Sequence, residues 1–121
     1  MDSKFYVSLE VARLLKEKGY DRECISYYYD NCREINYSFC GERNSTWEER
    51  CVSAPTKSEA IDWLESNGIM IDINWIRFNE NRRCDYSIFN CSNCYIIDSK
   101  YIYSTRLEAE EAAIIEALEL L

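Results

Sequence analysis

Three arginines near the middle of the chain are the residues whose types and spacing best suit binding chemistry. Arg77, Arg82 and Arg83 lie at the end of a predicted strand and in the predicted turn that follows it. Guanidinium groups bind phosphate through paired N–H donors, and aromatic rings stack on nucleotide bases. The candidate ligand-binding residues are therefore these arginines with four aromatic residues, Tyr27, Tyr29, Trp47 and Trp75. The alternative interpretation is a solvated turn in which the arginines balance Glu80 and Asp85.

Cysteines offer a second kind of chemistry, because the chain has 7 of them and three lie close together in sequence. Cys91 and Cys94 form a C-x-x-C pair, and Cys84 precedes them. A thiolate zinc site has four ligands, so a fourth would have to come from a distant cysteine. A redox C-x-x-C usually opens a helix, whereas this pair lies in a predicted hairpin turn. We predict reduced thiols with no metal and no cofactor, and a zinc-stabilised adaptor is the alternative.

The sequence has no histidine, which removes the commonest general base and the commonest metal ligand. It also has no G-x-S-x-G, no P-loop and no G-x-G-x-x-G motif. Carboxylate pairs such as Asp62 and Glu65 fit a solvated helix face. We therefore predict that the protein is not an enzyme.

The composition of the chain argues against some classes of binding partner and indicates its cellular location. A net charge of −8, with scattered basic residues, argues against direct binding to nucleic acid or to an anionic membrane. No apolar run approaches the ~20 residues of a membrane span, and the N-terminus lacks a signal-peptide pattern. We predict a cytoplasmic protein. The acidic C-terminal helix is either an ordinary exposed helix or an imitation of a DNA phosphate track.

The clearest structural signal is Ala54–Trp75, which predicts a helix followed at once by a strand. Thr56 and Glu59 have the spacing of a capping box, and Gly68 suits the left-handed position that ends a helix. A period of two then predicts a strand that continues to Phe78, with both faces covered at its far end. The predicted core face of this strand consists of Ile69, Ile71, Ile73 and Trp75.

The first half of the chain predicts one further helix and two strands. The helix is capped by Ser8, and the strands are Ile25–Tyr29 and Glu34–Phe39. The three adjoining tyrosines of the first strand are either ordinary half-buried sheet or a platform for a ligand. Gly41–Ser53 is predicted to be irregular. Trp47 within it either pins this loop to the core or is exposed for contact.

The second half predicts a hairpin and a final helix. Asn79–Arg83 is predicted to be a turn, and Cys84–Phe89 and Cys94–Asp98 are predicted to pair as strands. The last helix is capped by Thr105 and has an apolar face about half its circumference wide. Because Ile115 lies on its acidic side, this helix favours a contact between subunits of a homo-oligomer.

These elements have the order α-β-β-α-β-β-β-α. Strands that follow one another through short connections pair antiparallel. The prediction is an α+β fold in a single domain, residues 1–121, with a mostly antiparallel meander sheet and three helices.

Three blocks of the chain resemble a family of small uncharacterised proteins found in phages and prophages of Bacteroides-type gut bacteria. The blocks are SLEVARLLKEKGYD, APTKSEAIDWLESNGIMIDI and YSTRLEAEEAAIIEALELL, in that order. The resemblance brings no catalytic or binding residues to positions of this chain. It implies a non-enzymatic binding protein of a phage type in the bacterial host cell. Such a protein could act in counter-defence by sequestering a nucleotide-like signal or blocking a host protein. The alternatives are an assembly protein acting through self-oligomerisation and an acidic DNA-mimic inhibitor.

Overall fold

The computed structural model describes residues 3–78 and 80–121, without the side chains of Ser3 and Phe78. These residues form three α-helices, six strands in two antiparallel sheets, and a short 3-10 helix at Ser3–Phe5. The α+β prediction is confirmed. The helices are α1 (Leu9–Glu17), α2 (Lys57–Ser66) and α3 (Arg106–Leu118). The strands are β1 (Cys24–Tyr29), β2 (Ile35–Glu42), β3 (Cys51–Ser53), β4 (Ile69–Phe78), β5 (Asn81–Asn90) and β6 (Tyr95–Asp98).

The chain divides into two compact units, Met1–Ala60 and Ile61–Leu121, with the division inside α2. The first unit holds a three-stranded sheet of order β2-β1-β3, and the second holds one of order β4-β5-β6. Only the second sheet has the simple meander order that the sequence predicts. Each unit has its own set of buried apolar residues.

The first unit differs from the prediction in having a strand within the segment Gly41–Ser53. β2 continues to Glu42, and β3 pairs antiparallel with β1. All three residues of β3 are buried. The strand was missed because three residues are too few to show a period. The observed order is α-β-β-β-α-β-β-β-α.

The predicted caps of the first two helices are confirmed. The Ser8 hydroxyl accepts from the amide of Val11 at 3.2 Å. The Thr56 hydroxyl accepts from the Glu59 amide at 3.2 Å, and the Glu59 carboxylate accepts from the Thr56 amide at 3.0 Å. Gly68 has a φ of 84° after α2, the left-handed conformation that glycine adopts most readily.

A bulge in β2 turns a large aromatic side chain out to solvent. Ser26 pairs with Tyr37, but Cys24 pairs with Glu42, so β2 has extra residues in this stretch. Phe39 lies among them and is fully exposed. An alternation of apolar and polar residues therefore does not fix a core face here, because the bulge interrupts the period of two.

In the second unit, α3 packs on one face of the sheet formed by β4 and β5. Thr105 caps this helix by accepting from the Glu108 amide at 3.2 Å, as predicted. The buried residues of α3 are Ala109, Glu110, Ala113, Ile114, Ala117 and Leu118. Most of the wide apolar face is therefore covered within the chain, and Ile115 lies at the surface.

The hairpin of β4 and β5 is longer and tighter than the sequence predicts. Asn81–Arg83, predicted to be in a turn, belong to β5, and Asn79 of that turn lies outside the described residues. Phe78 pairs with Asn81, which leaves a two-residue connection. Cys94 lies in the next turn, before β6, and not in a strand.

The predicted core face of β4 is correct for its first part and wrong at its far end. Ile69 is buried, and Ile71 and Ile73 are half-buried. Trp75, however, is 58% exposed, and Arg77 beyond it is also exposed. This end of the strand is therefore open to solvent on the face that was predicted to be covered.

Candidate ligand-binding site

Trp75, Arg77 and Arg82 share one face of the sheet at the closed end of the β4–β5 hairpin. Residues two apart in a strand point to the same side, which places Trp75 beside Arg77. Arg82 is the direct cross-strand partner of Arg77, so its side chain points to that side as well. The register of one hairpin therefore brings three of the seven predicted site residues together.

These side chains line an open cavity of about 610 Å³. Among the described residues, its lining consists of Trp75, Ile76, Arg77, Glu80 and Arg82. Glu80 has a φ of 66° in the connection between the strands, which holds its backbone in the left-handed region. The sequence suggested Glu80 only as a counter-charge for the arginines. Its place in the lining adds a hydrogen-bond acceptor beside the two arginines.

The pairing of Arg77 with Arg82 is electrostatically unfavourable in the isolated chain. Directly opposed residues of antiparallel strands have Cβ atoms about 4.5–5.5 Å apart, and like charges at that spacing destabilise the pair. An anion bound between the two guanidinium groups would remove this repulsion and accept their N–H donors. The arrangement is therefore better suited to holding an anion than to stabilising the hairpin.

A third cation lies on the same side of the sheet. Cys84 is the cross-strand partner of Trp75 and is buried. Burial raises the pKa of its thiol, while nearby Arg106 at the start of α3 acts in the opposite direction. Arg106 also lies 3.8 Å from the buried carboxylate of Glu110. The charge of Arg106 thus acts on Cys84, which is directly opposite Trp75.

Arg83, the third arginine of the predicted cluster, is placed on the other face of the sheet. It follows Arg82 in β5 and pairs with Ile76, so its side chain points to the face opposite Arg82, and Arg83 is not among the described residues that line the cavity. The proximity of the three arginines in sequence was therefore misleading, because neighbours in a strand point in opposite directions. Arg83 becomes a natural control for charge near the site.

The other predicted site residues belong to the first compact unit. The rings of Tyr27 and Trp47 are 4.8 Å apart, and the Trp47 indole donates to Ser53 Oγ at 2.6 Å. Of the two interpretations of Trp47, the structure therefore supports the one in which it pins its loop. Tyr29 is exposed and lies near the side chain of Arg50, whose pKa it raises. These three residues are not among those that line the cavity at the hairpin end.

The cysteines separate into a buried and an exposed set. Cys24, Cys51 and Cys84 are buried, and Cys32, Cys40, Cys91 and Cys94 are exposed. Cys84 is thus a core residue of β5, whereas Cys91 and Cys94 lie at the surface. Within residues 3–78 and 80–121, no group of three or more cysteine, aspartate or glutamate side chains is arranged to hold a metal ion.

This separation predicts the reactivity of the thiols in the native protein. Cys32, Cys40, Cys91 and Cys94 should react quickly with a thiol reagent at mildly alkaline pH, and the other three only on unfolding. Burial raises the pKa of Cys24 to about 11 and also raises that of Cys51, which reduces the reactive thiolate further. Mass spectrometry after timed labelling would count the modified sites. Seven sites modified at one rate would contradict this burial pattern.

No protein-family model, no curated protein and no solved structure matches this chain. The resemblance to a phage and prophage family therefore stays a prediction. None of the helices in the described part of the chain is long and apolar enough to cross a membrane.

Proposed function

We propose that this chain is a non-enzymatic binding protein that captures a small nucleotide-like anion at the closed end of the β4–β5 hairpin. One observation supports the proposal more strongly than any other. Trp75, Arg77 and Arg82 are three of the residues around one cavity, and strand register places all three on one face. An exposed indole next to two opposed guanidinium groups offers one surface for a base and one for a phosphate.

The chemistry of the cavity matches the parts of such a ligand. The guanidinium groups of Arg77 and Arg82 would bind phosphate oxygens through charge-assisted hydrogen bonds. The indole of Trp75 would stack on the base, and the carboxylate of Glu80 would accept from a ribose hydroxyl or a base N–H. A volume of about 610 Å³ falls among the roughly 300–1,000 Å³ of small-molecule sites.

The charge of the whole chain favours a short anion over a nucleic acid. A net charge of −8 repels an extended row of phosphates, which needs many cations for neutralisation. At physiological salt, electrostatic interactions are screened over about 8 Å, so a single phosphate would respond mainly to the two arginines close to it. The proposed ligand is therefore a nucleotide-sized signal and not a polymer.

The family resemblance adds a biological setting to this proposal. In a phage, a protein that binds a nucleotide-like signal without converting it would remove that signal from a host defence pathway. Blocking a host protein is the other form of counter-defence that the resemblance implies. The Trp75 cavity favours the first form, because its lining combines cationic and aromatic groups at the scale of a small molecule.

Thermal unfolding in the presence of cyclic and linear nucleotides tests the proposal. A ligand at one hundred times its Kd stabilises the native state by about 2.7 kcal/mol, which raises the melting temperature by several degrees. The matching nucleosides serve as controls, because they keep the base and lose the phosphate. We expect a clear rise with at least one nucleotide and a much smaller one with its nucleoside.

Two results would contradict the proposal. One is a melting temperature that no nucleotide in the panel changes. The other comes from native mass spectrometry of protein purified from the producing cell, which reports oligomeric state and retained ligand together. A large oligomer that binds no nucleotide would favour an assembly protein instead.

A further inference from the structure

A second cavity in the unit Ile61–Leu121 is lined by aromatic rings and carboxylates. It has a volume of about 290 Å³ and lies between α3 and the segment that follows β6. The side chains relevant to its chemistry are those of Tyr86, Lys100, Tyr101, Tyr103, Glu116 and Glu119. Two carboxylates against one lysine give it the opposite charge balance to the cavity at Trp75.

Backbone hydrogen bonds fix two of these rings in place. Tyr103 and Cys84 exchange a pair of backbone hydrogen bonds at 2.8 and 2.7 Å, which attaches the segment after β6 to β5. The Ser99 amide donates to the Tyr86 carbonyl at 2.9 Å. As a result, the rings of Tyr86 and Tyr103 lie stacked, with centroids 6.0 Å apart. The aromatic wall therefore exists before any ligand binds.

The carboxylates come from one side of α3. The hydroxyl of Tyr86 donates to Glu116 Oε1 at 2.9 Å, which orients that carboxylate at the aromatic wall. Burial and this carboxylate both raise the pKa of Tyr86, so its phenol stays protonated and donating at neutral pH. Glu119 follows three residues later and therefore lies on the same side of the helix. It is exposed, at the rim of the cavity.

We propose that this aromatic–carboxylate cavity binds a guanidinium group, such as that of arginine. The faces of aromatic rings attract cations, and of the two glutamate charges only one is balanced by Lys100, which leaves one to neutralise a bound cation. A guanidinium is planar, stacks on an aromatic ring and offers five N–H donors to carboxylate oxygens. A quaternary ammonium would satisfy the rings but has no N–H for the glutamates. The set of groups therefore favours guanidinium over a fully methylated ammonium.

The guanidinium could belong to a free small molecule or to an arginine side chain of a peptide. Tyr101 is 70% exposed, so one wall of the cavity stands open to solvent and would admit a side chain attached to a larger molecule. The two sources share their chemistry and differ in the additional contacts that a peptide makes around the cavity. An experiment with both kinds of ligand distinguishes them.

Titration of the full chain with argininamide, followed by NMR of the tyrosine ring resonances, tests this proposal. We expect saturable shifts in Tyr86, Tyr101 and Tyr103, and none with citrullinamide, which has the same shape without the charge. Tyr101→Ala and Glu119→Gln should each weaken binding by about two- to fivefold, because both side chains are exposed. Tyr95→Ala is the matched control, since Tyr95 is 62% exposed and lies in β6 away from the cavity lining.

A second titration, with a peptide that contains arginine, identifies the source of the guanidinium. A short peptide with one arginine that binds more than tenfold tighter than argininamide would identify a side chain as the ligand, and equal affinity would identify a small molecule. Three results would overturn the proposal. These are no saturable shift at millimolar argininamide, tetramethylammonium binding as tightly as argininamide, and equal loss of affinity in Tyr95→Ala and Tyr101→Ala.

Discussion

Replacement of Ile114 by alanine is expected to lower the free energy of unfolding by about 2–5 kcal/mol, a range typical of buried isoleucine. Ile114 is 0% exposed in the face of α3 that packs on β4 and β5. Its removal leaves a cavity between helix and sheet that the two elements can close only in part. The buried alanines Ala113 and Ala117 beside it on α3 are too small to fill the space that it leaves.

Ile115→Ala is the matched control for this change, because it deletes the same atoms one residue further along the same helix. Ile115 is 37% exposed, so less apolar area is lost and its replacement should cost clearly less than that of Ile114. The gain in helix propensity from isoleucine to alanine is common to both and cancels. Urea unfolding of the two variants gives the comparison, and equal midpoints would contradict the observed orientation of α3.

Replacement of Arg82 by glutamate is expected to have opposite effects on stability and on binding. The change converts an opposed pair of like charges into an opposed ion pair with Arg77, which should stabilise the hairpin by roughly 0.2–1 kcal/mol. It also removes a charge-assisted hydrogen bond of about 1.5–3 kcal/mol from a bound phosphate. We therefore expect at least a tenfold loss of nucleotide affinity in a protein that melts no lower than the parent.

Arg83→Glu makes the same change in net charge at the next residue, on the opposite face of the sheet. Affinity should fall little in this variant, because Arg83 lies on the face opposite Arg77 and Arg82, is not among the described residues that line the cavity, and has its charge screened by salt. Calorimetric titration of the nucleotide found in the thermal panel measures both variants. If Arg83→Glu weakens binding as much as Arg82→Glu, the ligand is bound by general charge and not by the face that holds Trp75.

The parts of the fold that the sequence predicts are those governed by local rules. The capping box at Thr56 and the left-handed glycine at Gly68 each depend on residues within one helical turn, and both are observed. The same holds for the cap at Thr105. These interactions form between residues close in sequence, so spacing alone is sufficient to identify them.

The exposure of Trp75 depends instead on the lengths of elements far apart in sequence. α3 has 13 residues and extends about 20 Å at the rise of a helix. β4 has 10 residues and extends about 33 Å at the rise of a strand. The strand is therefore longer than the helix that covers it. A period of two shows which residues share a face but not where the covering helix ends.

The candidate site was predictable in its composition and not in its geometry. The sequence indicated arginines with aromatic residues, but it predicted a turn from Asn79 to Arg83. Because that turn is shorter, Arg77 is paired with Arg82, and Arg83 lies on the other face. A shift of one residue in the connection would have reversed these two roles, since alternate residues point to opposite faces. Residue spacing could not decide between them.

The most direct test of the proposed binding site is the indole N–H resonance of Trp75 during titration with a nucleotide. The chain has 3 tryptophans, and the Trp75→Phe variant assigns the signal by its loss. The proposed site predicts a saturable shift of this resonance with a nucleotide, a much smaller shift with the corresponding nucleoside, and little change at Trp47 and Trp63. Nucleotide binding that leaves the Trp75 indole unmoved, or that shifts Trp47 instead, would contradict a site at the closed end of the β4–β5 hairpin.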